Sequence, residues 1–378
     1  MKANIFIAGS GGIGQAVGLI LAESDAMDVT LHFGDISQNA LDQALSFVAN
    51  GCTKTVNQHG VLMPMTNSDS HLDESLIKCD IILDCLPGSQ APRMASLAKL
   101  HQCHYANLTE YVQETKDVIE IAQDADTAFV LQTGLAPGFI NIIAHRLYEE
   151  FQEHHGVDIV NSMHMKVGAI SRNAPSPHYY AFTWSPIGVA TEYLKDAEIV
   201  RNYKKIKVPA LSGLERLIID GDEYEDNFTS GGAADLPDAF ARKVKDLDYK
   251  TIRYPGHYRW VKNTMSTIAN SDNRIKALEN IMLENIPSVE DDVVVIYASV
   301  DGKDIHGRLR RRERSYKIFP SMVGNQRLRA IQSTTASAIC EVAYMLIRNK
   351  WRGIILQSQL STKEFLSGPY VTSIYGQY

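Results

Sequence analysis

The chain has 378 residues, of which 45% are hydrophobic and 21% charged, so it is long enough for two domains that each bury a core. Its net charge of −7 at pH 7 argues against a nucleic-acid partner, because neutralising phosphates needs an excess of Lys and Arg. Its five cysteines include no C-x-x-C pair, so the sequence predicts neither a disulfide framework nor a metal site.

A glycine-rich turn lies between the first predicted strand and the first predicted helix. The apolar run 1–8 predicts a buried strand, the next six residues read G-S-G-G-I-G, and residues 15–21 are apolar at helical spacing. In a dinucleotide-binding G-x-G-x-x-G turn, Gly9 would allow the tight turn, Gly11 the approach of a diphosphate, and Gly14 close packing of helix on strand. We therefore predict that the N-terminus of this helix binds a dinucleotide through Gly9, Gly11, Gly12, Ile13 and Gly14.

An acidic residue follows the second predicted strand. The run 29–33 leads to Asp35, about 20 residues beyond the last glycine, where dinucleotide-binding domains place an acid. Its carboxylate can accept hydrogen bonds from both ribose hydroxyls and would repel the 2′-phosphate of NADP. Neither Ile36 nor the three residues after it supply an Arg or Lys for that phosphate. The pattern favours NAD over NADP, with Asp35 and Ile36 at the ribose.

Short apolar runs alternate with helical stretches through residues 1–133, which we assign to the dinucleotide-binding domain. The run 80–86 predicts a buried strand that ends at a Pro-Gly turn, so Leu86 and Pro87 are expected to border the cofactor. Asn107 ends the following strand, where it could contact the nicotinamide end of the cofactor or cap the strand. The alternation predicts an α/β Rossmann fold, a doubly wound parallel sheet with helices on both faces.

The middle of the chain, residues 134–329, has a different character. Strand-like runs at 157–167 and 293–300 are interrupted by Pro and Gly and accompanied by aromatic residues, which predicts an α+β substrate domain with a mixed sheet. Residues 249–254 can alternate as a further strand. The basic run 308–314 is interpreted as a solvated strand face or hairpin.

The C-terminal segment, residues 330–378, begins with a long apolar helix predicted over 330–346 and is expected to pack back on the Rossmann domain. No run approaches the roughly 20 apolar residues of a membrane span, and the apolar start is too short for a signal peptide. We therefore expect a cytoplasmic protein without a membrane partner.

Four segments of the middle carry distinctive patterns, namely G-L-A-P-G at 134–138, Y-A-F-T-W-S-P at 180–186, T-S-G-G at 229–232 and Y-K-T-I-R-Y-P-G-H at 249–257. Together they resemble the saccharopine dehydrogenase family, which includes lysine 6-dehydrogenases and carboxynorspermidine dehydrogenases. The resemblance implies NAD(P)-linked oxidation of a C–N bond in an amino acid or polyamine adduct. It also implies a small amino-acid or amine substrate and a homodimer.

The chain departs from the family pattern at four positions. Ala136 replaces the Asp of the family's G-x-D-P-G, Ala181 replaces the Lys of its Y-K-F, and Ile187 stands where an Arg would follow W-S-P; Asn107 replaces a strand-end Asp. The two missing cations weaken recognition of a polycarboxylate such as saccharopine, and Ala136 resembles the lysine 6-dehydrogenase branch. Two alternatives therefore remain beside amino-acid oxidation: reductive condensation like that of carboxynorspermidine dehydrogenases, or a non-catalytic NAD(H)-binding sensor.

Removing hydride from a carbon that bears nitrogen requires a base, and a pKa near neutrality favours His. His257 follows a Pro-Gly turn at a predicted strand end, from which its side chain could project into a cleft, and His178 precedes the W-S-P segment. Tyr180 could orient an amine through its hydroxyl. The alternatives are a histidine that satisfies the turn and a packed aromatic ring.

Binding the substrate carboxylate favours a guanidinium, because its planar fork matches a carboxylate. Arg253 lies in the R-Y-P-G-H stretch and Arg172 in the loop before W-S-P, so both are candidates. Trp184 could form a wall of the substrate site. Structural ion pairs and core packing are the respective alternatives.

Overall fold

The computed structural model describes residues 1–269 and 273–378 and divides into two compact units. Unit 1 comprises Met1–Phe139, Ser321–Leu328 and Gln332–Tyr378, and unit 2 comprises Ile140–Pro320 and Arg329–Ile331. Each unit contains its own central sheet. Both ends of the chain therefore contribute to unit 1.

Unit 1 is built on a parallel sheet that, in the described residues, has seven strands: β1 Lys2–Ala8, β2 Asp28–Asp35, β3 Asn57–Leu62, β4 Ile81–Asp84, β5 His104–Asn107, β6 Ala128–Val130 and β17 Gly353–Ile355, numbered along the chain. Their order across the sheet is β17-β6-β5-β4-β1-β2-β3. β1 is buried along most of its length, as expected for a central parallel strand. This topology confirms the predicted Rossmann fold.

The helices of unit 1 are α1 Gly12–Glu23, α2 Gln38–Gly51, α3 Ser70–Leu76, α4 Ala91–Leu100, α5 Val112–Ile121, most of α11 Ala330–Arg348, α12 Thr362–Leu366 and α13 Pro369–Tyr375. A short hairpin of β15 Ser321–Val323 and β16 Gln326–Leu328 completes the unit. Helix α1 packs closely on the sheet, since a Cβ at Gly18 would lie 2.3 Å from the Phe33 ring. The amino end of α1 is thereby held at the carboxyl end of β1.

The C-terminal segment contributes a strand that the sequence analysis does not identify. β17 pairs in parallel with β6, with Gly353 opposite Ala128 and Ile355 opposite Val130. Helix α11, in contrast to our expectation that no run approaches a membrane span, is long and apolar enough to cross a bilayer by length and composition. However, 78% of its apolar window is buried within the protein, as in the core helix of a folded domain.

Unit 2 is built on a mixed sheet of β7 Val160–Ser171, β8 Ala197–Arg201, β9 Lys204–Val208, β10 Glu215–Ile219, β11 Asp222–Phe228, β12 Val244–Arg253, β13 Asp292–Lys303 and β14 Leu309–Ile318. The main order is β10-β11-β12-β7-β13-β14, and β8 pairs with both β12 and β9. Only the β12–β7 pair is parallel among the described strands of this sheet. The mixed sheet confirms the predicted α+β class.

The helices of unit 2 are α6 Phe139–His155, α7 Pro186–Leu194, α8 Leu236–Phe240, α9 His257–Thr267 and α10 Arg274–Asn285. The basic run lies on β14, the exposed edge strand, as the interpretation of a solvated strand face predicts. Arg311 there pairs with Asp301 at 2.5 Å and Arg310 with Asp304 at 3.0 Å. These carboxylates offset part of the local positive charge.

A buried carboxylate caps the start of α11. The side chain of Asp292, at the first position of β13, accepts hydrogen bonds from the N–H groups of Ala330 at 2.7 Å and Ile331 at 2.8 Å. These N–H groups have no partner within the helix, so a carboxylate beside them is stabilising. Asp292 itself is fully buried, which makes the pairing hard for water to replace.

We expect Asp292→Ala to lower the free energy of unfolding by about 2 kcal/mol, because two N–H groups lose their acceptors in a buried place. Denaturant unfolding followed by circular dichroism measures this change. The control is Glu290→Ala, which removes a carboxylate that is 82% exposed and 3.5 Å from Arg329. That change should stay within about 0.5 kcal/mol, and equal destabilisation by both variants would contradict the capping role.

Candidate active site

The glycine turn of unit 1 is so compact that two of its glycines cannot be replaced without a clash. Gly9 has a φ of +96°, and a Cβ there would lie 3.0 Å from the carbonyl oxygen of Cys85. A Cβ at Gly14 would lie 1.9 Å from the carbonyl oxygen of Gly9. The turn therefore has the steric properties predicted from its spacing.

Gly11 differs from the other two because it borders open space. A Cβ at Gly11 would meet no atom of the described residues within 4 Å. Gly12 and Ile13 follow in the first turn of α1, where backbone N–H groups lack partners within the helix. The buried hydroxyl of Ser10 has no hydrogen-bond partner among the described residues. Room, N–H donors and a spare hydroxyl together fit the diphosphate of a dinucleotide.

The carboxylate of Asp35 accepts two backbone hydrogen bonds at the glycine turn and the loop after β2. Its Oδ2 accepts a hydrogen bond from the Ser10 N–H at 2.9 Å, and its Oδ1 accepts one from the Ser37 N–H at 3.0 Å. The neighbouring Ile36 is 56% exposed and thus open to contact by a ligand. Each carboxylate oxygen keeps a further lone pair for a ribose hydroxyl.

The carboxyl ends of β4 and β5 place Leu86, Pro87 and Asn107 at the same edge of the sheet. Leu86 lies beside the glycine turn, with its Cδ2 3.2 Å from the position of a Cβ on Gly9, and Pro87 is exposed. Asn107 is buried, and its Oδ1 accepts a hydrogen bond from the Gln132 N–H at 2.9 Å. This bond corresponds to the capping alternative for Asn107, since it uses the side-chain oxygen within the protein.

A buried acid at this edge was missed by the sequence analysis. Asp84 accepts hydrogen bonds from the Tyr105 hydroxyl at 2.7 Å and from the Leu86 N–H at 3.0 Å. Burial raises the pKa of Asp84 to about 6, although both hydrogen bonds oppose the rise. An aspartate at the end of an apolar strand is a signal that could have identified it.

In unit 2, the end of β12 buries a guanidinium. Arg253 is only 1% exposed; its Nε donates to the Tyr193 hydroxyl at 2.8 Å and its Nη1 to the Ile252 carbonyl at 2.9 Å. The guanidinium carbon lies 4.7 Å from the centre of the Tyr180 ring, in cation–π geometry. The Nη2 atom is buried and has no hydrogen-bond partner in the described part of the chain. One edge of this cation therefore has donors that the described residues do not use.

His257 lies in the same cluster but not in the environment that its position in the sequence predicts. It is the first residue of α9 and follows the predicted turn, but its side chain is fully buried and does not project into an open cleft. Its Nδ1 lies 2.7 Å from the carbonyl oxygen of His178, and its Nε2 lies 2.9 Å from the Tyr193 hydroxyl. Burial and, secondly, the charge of Arg253 lower the pKa of His257 to about 3. This environment disfavours proton uptake at neutral pH.

The turn before His257 is fixed by its backbone. Gly256 has a φ of +105°, and a Cβ there would lie 2.8 Å from the Tyr179 ring. The carboxylate of Glu225 accepts hydrogen bonds from the N–H groups of Gly256 at 3.0 Å and Tyr258 at 2.7 Å. Helix α9 thus begins at one position with its first N–H groups satisfied.

Tyr180, His178 and Trp184 surround this cluster. Tyr180 is fully buried, and burial raises its pKa to about 12, so its hydroxyl keeps its proton at neutral pH. His178 contributes its carbonyl to His257, while its partly buried ring contacts Trp260 edge-on at 5.1 Å. Trp184 is half-buried against α7, where a Cβ at Gly188 would lie 2.5 Å from its ring. A core-packing role for Trp184 accounts for these contacts.

Arg172 has contacts of a different kind. Its side chain is 53% exposed, lies 3.6 Å from Asp291 and is 5.3 Å from the centre of the Phe319 ring. These are the contacts of a surface ion pair. The structure thus brings Arg253, His257 and Tyr180 together, whereas the contacts of Arg172 lie elsewhere.

The N-terminal third and the remainder of the chain match two domains of one protein family. Residues 5–131 match the saccharopine dehydrogenase NADP binding domain, and residues 134–371 match the saccharopine dehydrogenase C-terminal domain. The chain belongs to the saccharopine dehydrogenase family. The resemblance drawn from the four sequence segments is confirmed, and the glycine turn lies within the family's dinucleotide-binding domain.

Individual relatives are distant in sequence. The mitochondrial alpha-aminoadipic semialdehyde synthases of Bos taurus and Mus musculus are each 21% identical, over 206 and 209 residues, which is 54% and 55% of this chain. The matched region spans only 21% of the length of either protein.

Two solved structures resemble the chain over nearly its whole length. Saccharopine dehydrogenase (L-Glu forming) from Saccharomyces cerevisiae superimposes with a TM-score of 0.76 at 13% identity, covering 99% of this chain and 98% of that one. Homospermidine synthase from Legionella pneumophila, in complex with NAD, gives 0.66 at 13% identity over 100% and 91% of the two chains. These likenesses confirm the fold.

Two family segments have packing roles in the structure. The Thr229 hydroxyl of T-S-G-G hydrogen-bonds that of Thr251 at 2.6 Å, and a Cβ at Gly232 would lie 2.3 Å from the Tyr249 ring. In G-L-A-P-G, Gly138 has a φ of +133°, and a Cβ there would lie 2.0 Å from the Gly134 carbonyl oxygen. The T-S-G-G residues thus fix the backbone beside β12, the strand that ends at Arg253. The two glycines of G-L-A-P-G fix the turn that follows residue 133.

The sequence analysis also missed Tyr193 and a buried ion cluster. Tyr193 lies near the end of α7, the helix that begins at the Pro of W-S-P. In the sequence it occupies an apolar helix position, which suggests only packing. Asp226 is fully buried and pairs with the ammonium groups of Lys166 and Lys250, the latter at 3.1 Å. Among the described residues, no three His, Cys, Asp or Glu side chains are grouped so as to hold a metal ion.

Gly11 and Gly14, two glycines of the same turn, provide a matched test of the cofactor site. We expect Gly11→Ala to raise the dissociation constant for NADH about tenfold or more, because its methyl group would occupy the diphosphate's approach without a clash with any described residue. Gly14→Ala should instead lower stability by about 1–3 kcal/mol, through its clash with Gly9. Fluorescence titration and thermal unfolding distinguish the two effects. Unchanged NADH affinity in a folded Gly11→Ala protein would contradict the assignment.

Proposed function

We propose that this chain is an NAD-dependent oxidoreductase that acts on the C–N bond of an amino acid, and that Arg253 binds the substrate carboxylate. The supporting observation is the buried guanidinium of Arg253, whose Nη2 has no partner in the described residues, within a chain of the saccharopine dehydrogenase family. A buried guanidinium nitrogen with unused donors is costly, and a substrate carboxylate that accepts from Nη2 would offset that cost. Carboxylate binding by Arg253 would favour amino acids over simple amines as substrates.

Bound NAD would supply the acceptor for the hydride of the nitrogen-bearing carbon, so that the amine of the substrate would become an imine with release of a proton. Water then hydrolyses the imine to a carbonyl compound and an amine. In this reaction the turn from Gly9 to Gly14 would hold the diphosphate, and Arg253 would fix the substrate through its carboxylate. Tyr180, which retains its proton, could donate a hydrogen bond but could not act as a base near neutral pH.

The substrate is proposed to carry few carboxylates. Ala181 and Ile187 remove two cations that the family pattern would place near the substrate segment. Arg253 alone supplies a buried guanidinium in the polar cluster described above. L-Lysine therefore stands beside L-saccharopine as a candidate. We further propose that the protein works as a cytoplasmic homodimer, and light scattering tests the dimer.

The cofactor preference rests on the charge of Asp35. We expect Asp35→Asn to shift the ratio of NADPH to NADH affinity about tenfold towards NADPH, because the carboxylate no longer repels the 2′-phosphate. Asparagine keeps an oxygen that can accept one of the two loop N–H groups. Asp42→Asn, an exposed change on α2, is the control and should leave the ratio unchanged. An unchanged ratio in Asp35→Asn, measured by fluorescence titration, would show that Asp35 does not face the ribose.

The catalytic proposal is tested by NADH formation with NAD and a panel of L-lysine, L-saccharopine and norspermidine adducts at mildly alkaline pH. We expect turnover with an amino acid, and Arg253→Lys should raise KM for it about tenfold or more, because a lysine lacks the bidentate fork. Arg172→Lys is the matched control and should leave KM unchanged.

Other outcomes would reject this proposal in favour of a named alternative. NAD(P)H consumption with an aldehyde and a diamine, without amine oxidation, would indicate reductive condensation. NADH binding without turnover on any substrate would indicate a sensor. A larger KM effect in Arg172→Lys than in Arg253→Lys would move carboxylate binding to the surface arginine.

A further inference from the structure

We infer that Tyr193 and His257 are positioning residues that hold the Arg253 guanidinium ready for a carboxylate, with His257 acting as a neutral hydrogen-bond acceptor and not as a general base. The inference deepens the proposed function, because it rests on Arg253 as the carboxylate-binding group. It replaces the catalytic role that the sequence analysis predicts for His257 with a structural one.

The direction of each hydrogen bond follows from what the atoms can donate. The Nε of Arg253 can only donate, so the Tyr193 oxygen at 2.8 Å accepts from it. The hydroxyl proton of Tyr193 is then free to point to His257 Nε2 at 2.9 Å, which must be unprotonated to accept it. The His178 carbonyl can only accept, so the Nδ1 of His257 at 2.7 Å carries the proton. A single neutral tautomer satisfies all three contacts.

A second proton on His257 would disrupt this arrangement. It would take the place of the Tyr193 proton between Oη and Nε2 and create a cation beside the buried Arg253. The charged or titratable groups around the cluster come from several elements: Arg253 on β12, Glu192 and Tyr193 on α7, Tyr258 on α9, and His178 and Tyr180 before α7. Burial and the Arg253 charge lower the pKa of His257, in agreement with the neutral form.

The consequence for Arg253 is a fixed orientation. Tyr193 holds its Nε, the Ile252 carbonyl holds its Nη1, and the Tyr180 ring lies against the guanidinium 4.7 Å from its carbon. The Nη2 atom is left without any protein partner in the described residues. Since binding a carboxylate to a pre-oriented guanidinium costs less side-chain entropy, loss of the Tyr193 hydroxyl should weaken substrate binding.

The tautomer is tested without any substrate. Protein labelled with 15N in its histidine rings is titrated by NMR, and the signals of His257 are assigned by their loss in His257→Gln. We expect an Nδ1-protonated neutral ring at every pH from 6 to 9, and a shift of the Nε2 signal in Tyr193→Phe. Protonation of His257 within that range, or a ring protonated on Nε2, would overturn the inference.

Kinetics separates positioning from base catalysis. His257→Gln keeps an oxygen able to accept from Tyr193 but cannot titrate, whereas His257→Leu removes the acceptor. We expect Tyr193→Phe and His257→Leu to raise KM for the amino acid about tenfold while the pH profile of kcat is kept, and His257→Gln to raise it less. A general base would instead lose turnover by roughly 10² in both His257 variants.

The two proposals can fail separately. If no amino acid is oxidised, the proposed function fails, while the NMR titration still decides the state of His257. If an amino acid is oxidised and both His257 variants lose turnover and the pH dependence together, the function holds and the positioning role is rejected. Thermal unfolding, followed by circular dichroism, shows that each variant is folded.

Discussion

Arg253 carries a full positive charge into a place where only 1% of its surface reaches solvent. Such burial is costly unless hydrogen bonds, rings or opposite charges compensate it. Here the direct contacts come from a tyrosine hydroxyl, a backbone carbonyl and the face of Tyr180, and the buried carboxylate of Glu192 adds a favourable electrostatic interaction. The surrounding elements of unit 2 are arranged to supply these groups.

The most recognisable segment of the family has a separate physical reason for each of its last residues. Arg253 is the buried cation, and the Tyr254 carbonyl accepts from the His257 N–H at 3.2 Å. Gly256 has a left-handed φ beneath the Tyr179 ring, where a residue with a side chain would be strained and would clash. His257 then opens α9, whose start is fixed by Glu225 from β11. The residues of this segment therefore fix the position of the Arg253 guanidinium, and the chemistry of the segment depends on that position.

Features encoded by neighbouring residues could be predicted from the sequence. The glycine turn, the position of Asp35 and the alternation of strand and helix depend on local spacing, and the structure has them as expected. Tyr193 and Asp292 could not be found in this way, because their partners lie far along the chain. Strand β17 has only three residues, too few for a periodic signal, and owes its existence to pairing with β6. The sequence pattern points to His257, but the environment of this residue depends on α7 and on residue 178, which no local pattern reveals.

Strand β17 also bears on the order in which the protein can fold during synthesis. The parallel edge of β6 is covered by residues 353–355, so the sheet begun by the first 139 residues waits for more than 200 further residues before its last strand can join. Until then, an apolar strand edge is exposed on a nascent chain, a situation that favours pairing with other chains. Unit 2 is almost continuous in sequence and can complete its sheet first. The dinucleotide-binding domain begins with the first strand of the chain. It is nevertheless among the last parts of the protein to be completed.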